Sequence, residues 1–204
     1  MSRSNEEKSS FIAEARREQV IEATIQTLDE MGYVHASLSQ IAKKAGISTA
    51  LISYHFSDKS ELMNHVLSKL ISSSESYILE RVRQENTPKG KLTAFIAASL
   101  AYQSLHPKRT TALLEIIFHA RTPDNIPYYK LGDEDEDVLV RELQQILRDG
   151  QDKDEFGLFD PAVMASMIQG AIGEYMGNTP ITRQVDLETY SGELVNIVCK
   201  AVKE

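Results

Sequence analysis

Residues 39–62, SQIAKKAGISTALISYHFSDKSEL, leave little freedom in how this chain can fold. Two short helical patterns lie on either side of AGIS. Gly46 permits a turn that side chains resist. Ser48 offers a hydroxyl oxygen to the free N–H groups opening the next helix. Ile41, Ala42 and Ala45 share one face of the first pattern, and their small size lets the second come close. Ile47 and Ile52 fill the angle between the two. Upstream, from Phe11 to about Met31, Ile12, Val20, Ile21, Ala23, Thr24, Ile25 and Leu28 recur at helical spacing, and Gly32 stops that pattern. Three helices in quick succession, with a glycine turn before the third, predict a helix-turn-helix.

What remains outward on the third helix is Thr49, Ala50, Ser53 and His55. Short hydroxyl and imidazole side chains reach base edges or phosphates in a major groove, and an alanine methyl can meet a thymine methyl. Lys59 follows at the start of the fourth helix, where its ammonium and the positive helix end both favour a phosphate. Ser57 or Asp58 caps that helix, and Glu61 stands where the acid of a capping box belongs. Ser48 is read as a cap and Phe56 as a core anchor. Lys43 and Lys44 read equally as solvated charges or phosphate contacts. Charge sharpens the point. The chain carries a net −8, and residues 1–65 hold seven basic against nine acidic side chains. DNA binding must therefore rest on a few placed cations, not on a general positive field.

The rest of the chain is also helical in pattern. The fourth helix runs from its cap to about Arg83 through Leu62, Val66, Leu70, Ile71, Ile78, Leu79 and Val82. Further helices carry Leu92–Leu100, TTALLEIIFHAR, Val138–Leu147 closed by Gly150, Pro161 to about Met176, and Asp186 to about Val202. No segment alternates with period two. The expectation is an all-α chain of about nine helices, with residues 1–10 a polar tail. Hydrophobic residues at 42% suffice for a packed core. Cys199 stands alone, so no internal disulfide framework exists and a reducing, cytoplasmic location is expected. The N-terminus has no apolar signal region and no apolar run is long enough to cross a bilayer, so no membrane partner is expected.

RREQVIEATIQTLDEMGYVHASLSQIAKKAGISTALISYHFSDKSEL resembles the DNA-binding domain of TetR-family transcriptional regulators over residues 11–62. The matching elements are Arg17 with VIEA, then GY, SLSQIAKKAGIS and YHFSDKSEL. Two positions depart from the family pattern: Ser53 stands where a tyrosine is usual, with Tyr54 beside it, and Ala50 replaces a glycine. Carried over by position, the resemblance implies DNA contacts by Ser37, Ser39, Thr49, Ala50, Ser53, Tyr54, His55 and Lys59. It also implies a DNA-binding domain at 11–60 and a larger helical ligand-binding and dimerisation domain at 61–204. The function implied is a ligand-responsive regulator, a repressor. It would bind a near-palindromic operator on double-stranded DNA as a homodimer, and a small lipophilic effector would release it.

The last two helices carry apolar stripes: Met164, Met167, Ile168, Ala171, Ile172 and Tyr175, then Leu187, Tyr190, Leu194, Ile197, Val198 and Ala201. Gly170, Gly173 and Gly177 lie on or near the first. Each glycine inside a helix costs about 1 kcal/mol relative to alanine, which suggests close approach by a neighbouring helix. Either the stripes close the monomer core or two helices from each of two subunits form a four-helix interface; the homodimer is favoured. Candidate ligand residues are Phe95, Tyr102, Glu115, Phe118, His119, Tyr128, Tyr129, Glu174 and Tyr175, where a carboxylate among aromatics suits a cationic, lipophilic ligand. The run GDEDED at 132–137 alternates acids as a calcium loop does, but Val138 follows where glycine is needed. No catalytic or cofactor motif is present, so no enzyme activity and no cofactor are expected, and the histidines lack metal-ligand spacing. The rival to a ligand-released repressor is a DNA-bound interaction protein that recruits a protein partner.

Overall fold

The computed structural model describes residues 2–131, 137–177 and 180–203. Among them it holds ten α-helices, one 3-10 turn at Tyr128–Lys130, and no strand beyond an isolated bridge between Arg121 and Pro127. The helices are α1 (Ser2–His35), α2 (Leu38–Ala45), α3 (Thr49–His55), α4 (Lys59–Arg83), α5 (Pro88–Leu105), α6 (Pro107–His119), α7 (Val138–Asp152), α8 (Pro161–Met176), α9 (Pro180–Gln184) and α10 (Leu187–Ala201).

The all-α expectation holds, with one helix more than the apolar pattern gave. Helix α9 has a single turn and no buried residue, so it leaves no periodic signal. Helix α1 begins at Ser2, not at Phe11. The stretch before Phe11 has no apolar face for periodicity to detect, but it also lacks Gly and Pro, so nothing breaks the helix. Gly150 lies inside α7 instead of ending it. The Phe156 ring folds back onto Gly150, and a Cβ there would fall within the ring. Residues 132–136 of the acidic run lie outside the described residues. Asp137 is the N-cap of α7, accepting from the N–H groups of Leu139 (2.8 Å) and Val140 (3.3 Å).

The chain divides into two compact units, residues 1–71 with 108–132, and residues 72–107 with 133–204. Helix α4 continues unbroken across the boundary at 71–72. The first core gathers Val20, Ile25, Leu28, Ile41, Ile52, Phe56, Leu62, Met63 and Val66 with Ala112 and Ile116 of α6 and Ala120 just past its end. The second gathers Leu92, Phe95, Ile96 and Leu100 of α5, Leu143, Ile146 and Leu147 of α7, Ile168 and Ile172 of α8, and Val198 of α10. Each of the Val, Leu, Ile, Met and Phe side chains withdrawn from water contributes roughly 1.5–3 kcal/mol before the entropy of ordering is subtracted. After α7 the chain is pinned by backbone groups. Gln151 Nε2 donates to the carbonyls of Gly157 (2.9 Å) and Phe159 (3.0 Å), and Gly157 N–H donates to the Val202 carbonyl (2.8 Å).

Candidate nucleic-acid interface

The helix-turn-helix is fixed by its caps. Ser37 Oγ accepts the Gln40 N–H, and Gln40 Oε1 returns the bond to the Ser37 N–H, a reciprocal capping box opening α2. Ser37 is therefore the cap of α2. Gly46 closes α2 at φ 68°, ψ 31°, the left-handed region, and its N–H together with that of Ile47 takes up the carbonyls of Ala42 and Lys43. Gln19 Nε2 donates to the Ala45 carbonyl at 2.7 Å and ties α1 to the end of α2. Ser48 Oγ accepts the Leu51 N–H at 3.2 Å. The turn is thus determined on both sides, and Ile41, Ala42, Ala45, Ile52 and Phe56 are buried beneath it.

What α3 turns outward is a compact polar face. Thr49, Ala50, Ser53 and Tyr54 are exposed, Tyr54 to 81%, and His55 is half-buried with its ring edge-on to Tyr54 at 5.1 Å. Positions 49, 50, 53 and 54 share one side of the helix because residues three or four apart are neighbours there. Ser37 and Ser39 are exposed at the start of α2. Lys59 is drawn towards the end of α1. Its ammonium donates to the Tyr33 carbonyl at 2.7 Å and lies 4.3 Å from the centre of the Tyr33 ring. Burial lowers the Lys59 pKa and raises that of the Tyr33 phenol. An ammonium has three donors, and this bond uses one.

Several other charges of this unit are paired. Lys44 binds Glu30 at 2.6 Å, and that hydrogen bond holds the Glu30 carboxyl below its usual range. Arg17 lies over the Phe56 ring, with a guanidinium nitrogen 3.2 Å from His65 Nε2. Asp58 Oδ1 accepts the Glu61 N–H (2.8 Å) while Glu61 Oε2 accepts the Ser57 N–H (2.6 Å). The bonds from Ser57 hold the Glu61 carboxyl below the ordinary value. Sequence reasoning missed the contacts that α6 makes. Glu115 Oε2 accepts the Tyr33 N–H at 2.8 Å, and Arg109 pairs with Glu22. Both join residues more than eighty positions apart, so no local pattern announces them.

The candidate ligand residues do not form one constellation. Glu115, Phe118, His119, Tyr128 and Tyr129 belong to the first unit, and Phe95, Tyr102, Glu174 and Tyr175 to the second. Phe118 and His119 are exposed, and the Tyr128 hydroxyl donates to Asn64 Oδ1 at 2.6 Å. Phe95 is fully buried; Tyr102 lies between Tyr77 (5.4 Å) and His106 (4.7 Å) with its ring tilted to both, and Tyr175 lies beside Tyr190 (4.9 Å). The second unit has an open groove of about 440 Å³ lined by Ala97, Leu100, Ala101, Asp186, Leu187, Glu188 and Ser191. None of the candidates lines it. Among the described residues no three His, Cys, Asp or Glu side chains converge as metal ligands, and no helix is long and apolar enough to cross a membrane.

Residues 20–66 match the family model described as bacterial regulatory proteins, tetR family. The HTH-type transcriptional regulator BetI of Pectobacterium carotovorum subsp. carotovorum (strain PC1) is 39% identical over 83 residues, 40% of this chain and 43% of that protein. BetI of Brucella suis (strain ATCC 23445 / NCTC 10510) is 29% identical over 111 residues, 54% of this chain and 56% of that protein. The chain therefore spans about half the length, or less, of the curated relatives it matches. Among solved structures, the fatty acid degradation regulator FadR from Bacillus halodurans superposes with a TM-score of 0.77 at 19% identity, covering 93% of this chain and 97% of that one. FadR from Bacillus subtilis in complex with stearoyl-CoA superposes with a TM-score of 0.76 at 22% identity, covering 90% and 98%. AibR in complex with isovaleryl coenzyme A and operator DNA gives 0.71 at 17% identity, covering 89% and 97%. At these identities the likeness is one of fold.

Proposed function

Because residues 20–66 match the family model of bacterial regulatory proteins, tetR family, we propose that the chain is a TetR-family, ligand-responsive transcriptional regulator of the cytoplasm that represses by occupying an operator. The carrying observation is the face of α3. Thr49, Ala50, Ser53 and Tyr54 stand exposed on a helix whose start, turn and underside are fixed by hydrogen bonds and a buried core. A rigid helix presenting short polar groups suits the major groove. We assign DNA binding to residues 11–60, with contacts by Ser37, Ser39, Thr49, Ala50, Ser53, Tyr54, His55 and Lys59, and ligand binding and dimerisation to 61–204.

The working form is a homodimer on a near-palindromic operator. Gly170, Gly173 and Gly192 support it. A Cβ added at any of them meets nothing within 4 Å, so these glycines do not serve packing inside the monomer. Beside them Val163, Met167 and Ile197 are exposed. A second copy laying its α8 and α10 across this face would use both the missing side chains and the bare apolar ones. Release follows when a small lipophilic ligand prefers a form whose two heads no longer match the half-sites; it acts only to the extent of that preference. The ligands named for FadR from Bacillus subtilis and for AibR make acyl-coenzyme A thioesters the first class to try.

The test is binding of the purified protein to the DNA upstream of its own gene through a salt titration, with random DNA as control and acyl-CoA thioesters of graded length added. Selective, salt-sensitive binding released by one of them is expected. Affinity equal to that for random DNA counts against the assignment. Selective binding that no thioester or other lipophile disturbs favours a chain that recruits a protein partner.

A further inference from the structure

We propose that Glu115 is a positioning residue for DNA recognition, holding the corner from which α2 and α3 depart. The proposal rests on the DNA-binding reading above.

The regular helix of α1 breaks at Gly32, where φ is 73° and ψ is 170°. That combination is essentially closed to residues with a side chain. Beyond the break, Tyr33 to Ala36 lead directly into the Ser37 capping box, and the Ala36 N–H returns to the Gly32 carbonyl at 3.1 Å. The direction the chain takes at Gly32 and Tyr33 therefore sets where α2, and with it α3, begins.

Both backbone polar groups of Tyr33 are held by charged side chains. Its N–H donates to Glu115 Oε2 at 2.8 Å, and its carbonyl accepts from the Lys59 ammonium at 2.7 Å. An anion on the N–H and a cation on the carbonyl each make a charge-assisted bond, stronger than a neutral one. The Glu115 carboxylate also rests on the Gly32 backbone: a Cβ there would lie 3.1 Å from Oε2 and 3.5 Å from Cδ. Glycine at 32 is thus required twice, for its conformation and for the room the carboxylate takes.

The rest of α6 is built to keep Glu115 there. Arg109 pairs with Glu22 of α1, while Ala112 and Ile116, with Ala120 just past the helix end, are buried in the core beneath the helix-turn-helix. These positions follow the three- and four-residue spacing of a single helix face. His119 Nδ1, one turn on, lies 3.3 Å from the same Oε2. The carboxylate is held within this unit by Tyr33, Gly32 and His119, which gives it no part in phosphate binding.

The test uses the full chain, a duplex that the wild-type protein enriches from a randomised library, and a random-sequence duplex. Glu115→Ala removes the acceptor. Glu115→Gln removes the charge but keeps an amide oxygen that can take the Tyr33 N–H. For Glu115→Ala, the ratio of affinities for enriched over random duplex is expected to fall about tenfold, the loss of one charge-assisted hydrogen bond. The slope of log affinity against log salt stays unchanged, because no phosphate contact is lost, and hydrogen exchange at the Tyr33 amide accelerates. Glu115→Gln recovers most of the ratio and most of the protection. Should Glu115→Ala fail to fold, Glu115→Asp, one methylene shorter with the charge kept, takes its place with the same expectation. An unchanged ratio in Glu115→Ala, a slope lowered by about one, or a Gln variant as impaired as the Ala variant overturns the proposal. A wild-type protein that enriches no sequence overturns the regulator reading and this proposal with it. One that enriches a sequence which Glu115→Ala binds equally well overturns the proposal alone.

Discussion

Gly46 and Gly150 are both required, for different reasons. At Gly46 the backbone is left-handed and the space around it is empty, so Gly46→Ala meets only the conformational penalty, about 1 kcal/mol. At Gly150 the Phe156 ring occupies the place a methyl would take, so Gly150→Ala must displace a buried aromatic and is expected to cost more, about 1–3 kcal/mol. Urea unfolding of the two variants decides it; a Gly150→Ala loss no larger than that of Gly46→Ala would show that the ring moves freely. Single carboxylates set the behaviour in acid. Glu61 is held below its ordinary pKa by its bonds from Ser57. Its contribution is therefore complete above the unfolded value of 4.5 and is lost as pH falls through the lower folded one. Glu61→Gln is expected to lose less melting temperature between neutral and acid pH than the wild type does, as thermal scans at a series of pH values will read.

At the scale of the element, caps and faces separate stability from recognition. Ser48 bonds its own helix start and Tyr54 projects from the same helix into solvent. Ser48→Ala should lower unfolding stability by about 1 kcal/mol. Tyr54→Ala should leave stability within about 0.5 kcal/mol yet weaken DNA binding. A Tyr54→Ala protein that binds DNA as the wild type does would remove Tyr54 from the contact set. These elements were legible because their causes are local. Ser37, Gly46, Ser48, Asp58 and Glu61 announce helix ends by chemistry within four residues, and the α4 span to Arg83 followed from its apolar spacing. The early start of α1 was not legible, because a polar helix without an apolar face looks like a tail. Glycine at 150 misled because its cause, Phe156, lies beyond the helix. The role of Glu115 was out of reach, since its partner Tyr33 is 82 positions away.

For the molecule as a whole, the proposed dimer places a second copy on the open face of α8 and α10. Met167→Glu places a charge on a side chain that is 64% exposed in the single chain, so the fold of one copy should survive it. A charge facing its own symmetry mate across a dimer is costly. The expected result is a monomer by sedimentation, with operator binding strongly reduced; an unchanged dimer would place the interface elsewhere. The stripes on these helices were legible, but the side of each that faces inward was not, because apolar residues ring much of α8. Nor does the sequence disclose that residues 108–132 join the first compact unit across an intervening stretch of the second.

That last feature bears on how the protein is made. The first core contains Ala112, Ile116 and Ala120 as well as side chains of the first four helices. A ribosome that has released residue 71 has therefore delivered the reading head without one of its walls, and the head stays unfinished until roughly the stretch through Tyr128 has emerged. The head is then not a transplantable module. A chimaera grafting residues 1–71 onto another regulator's body is expected to be poorly folded by circular dichroism, and supplying 108–131 as a covalently linked segment should restore it. A well-folded 1–71 fragment would mean that α6 is added to a head already complete.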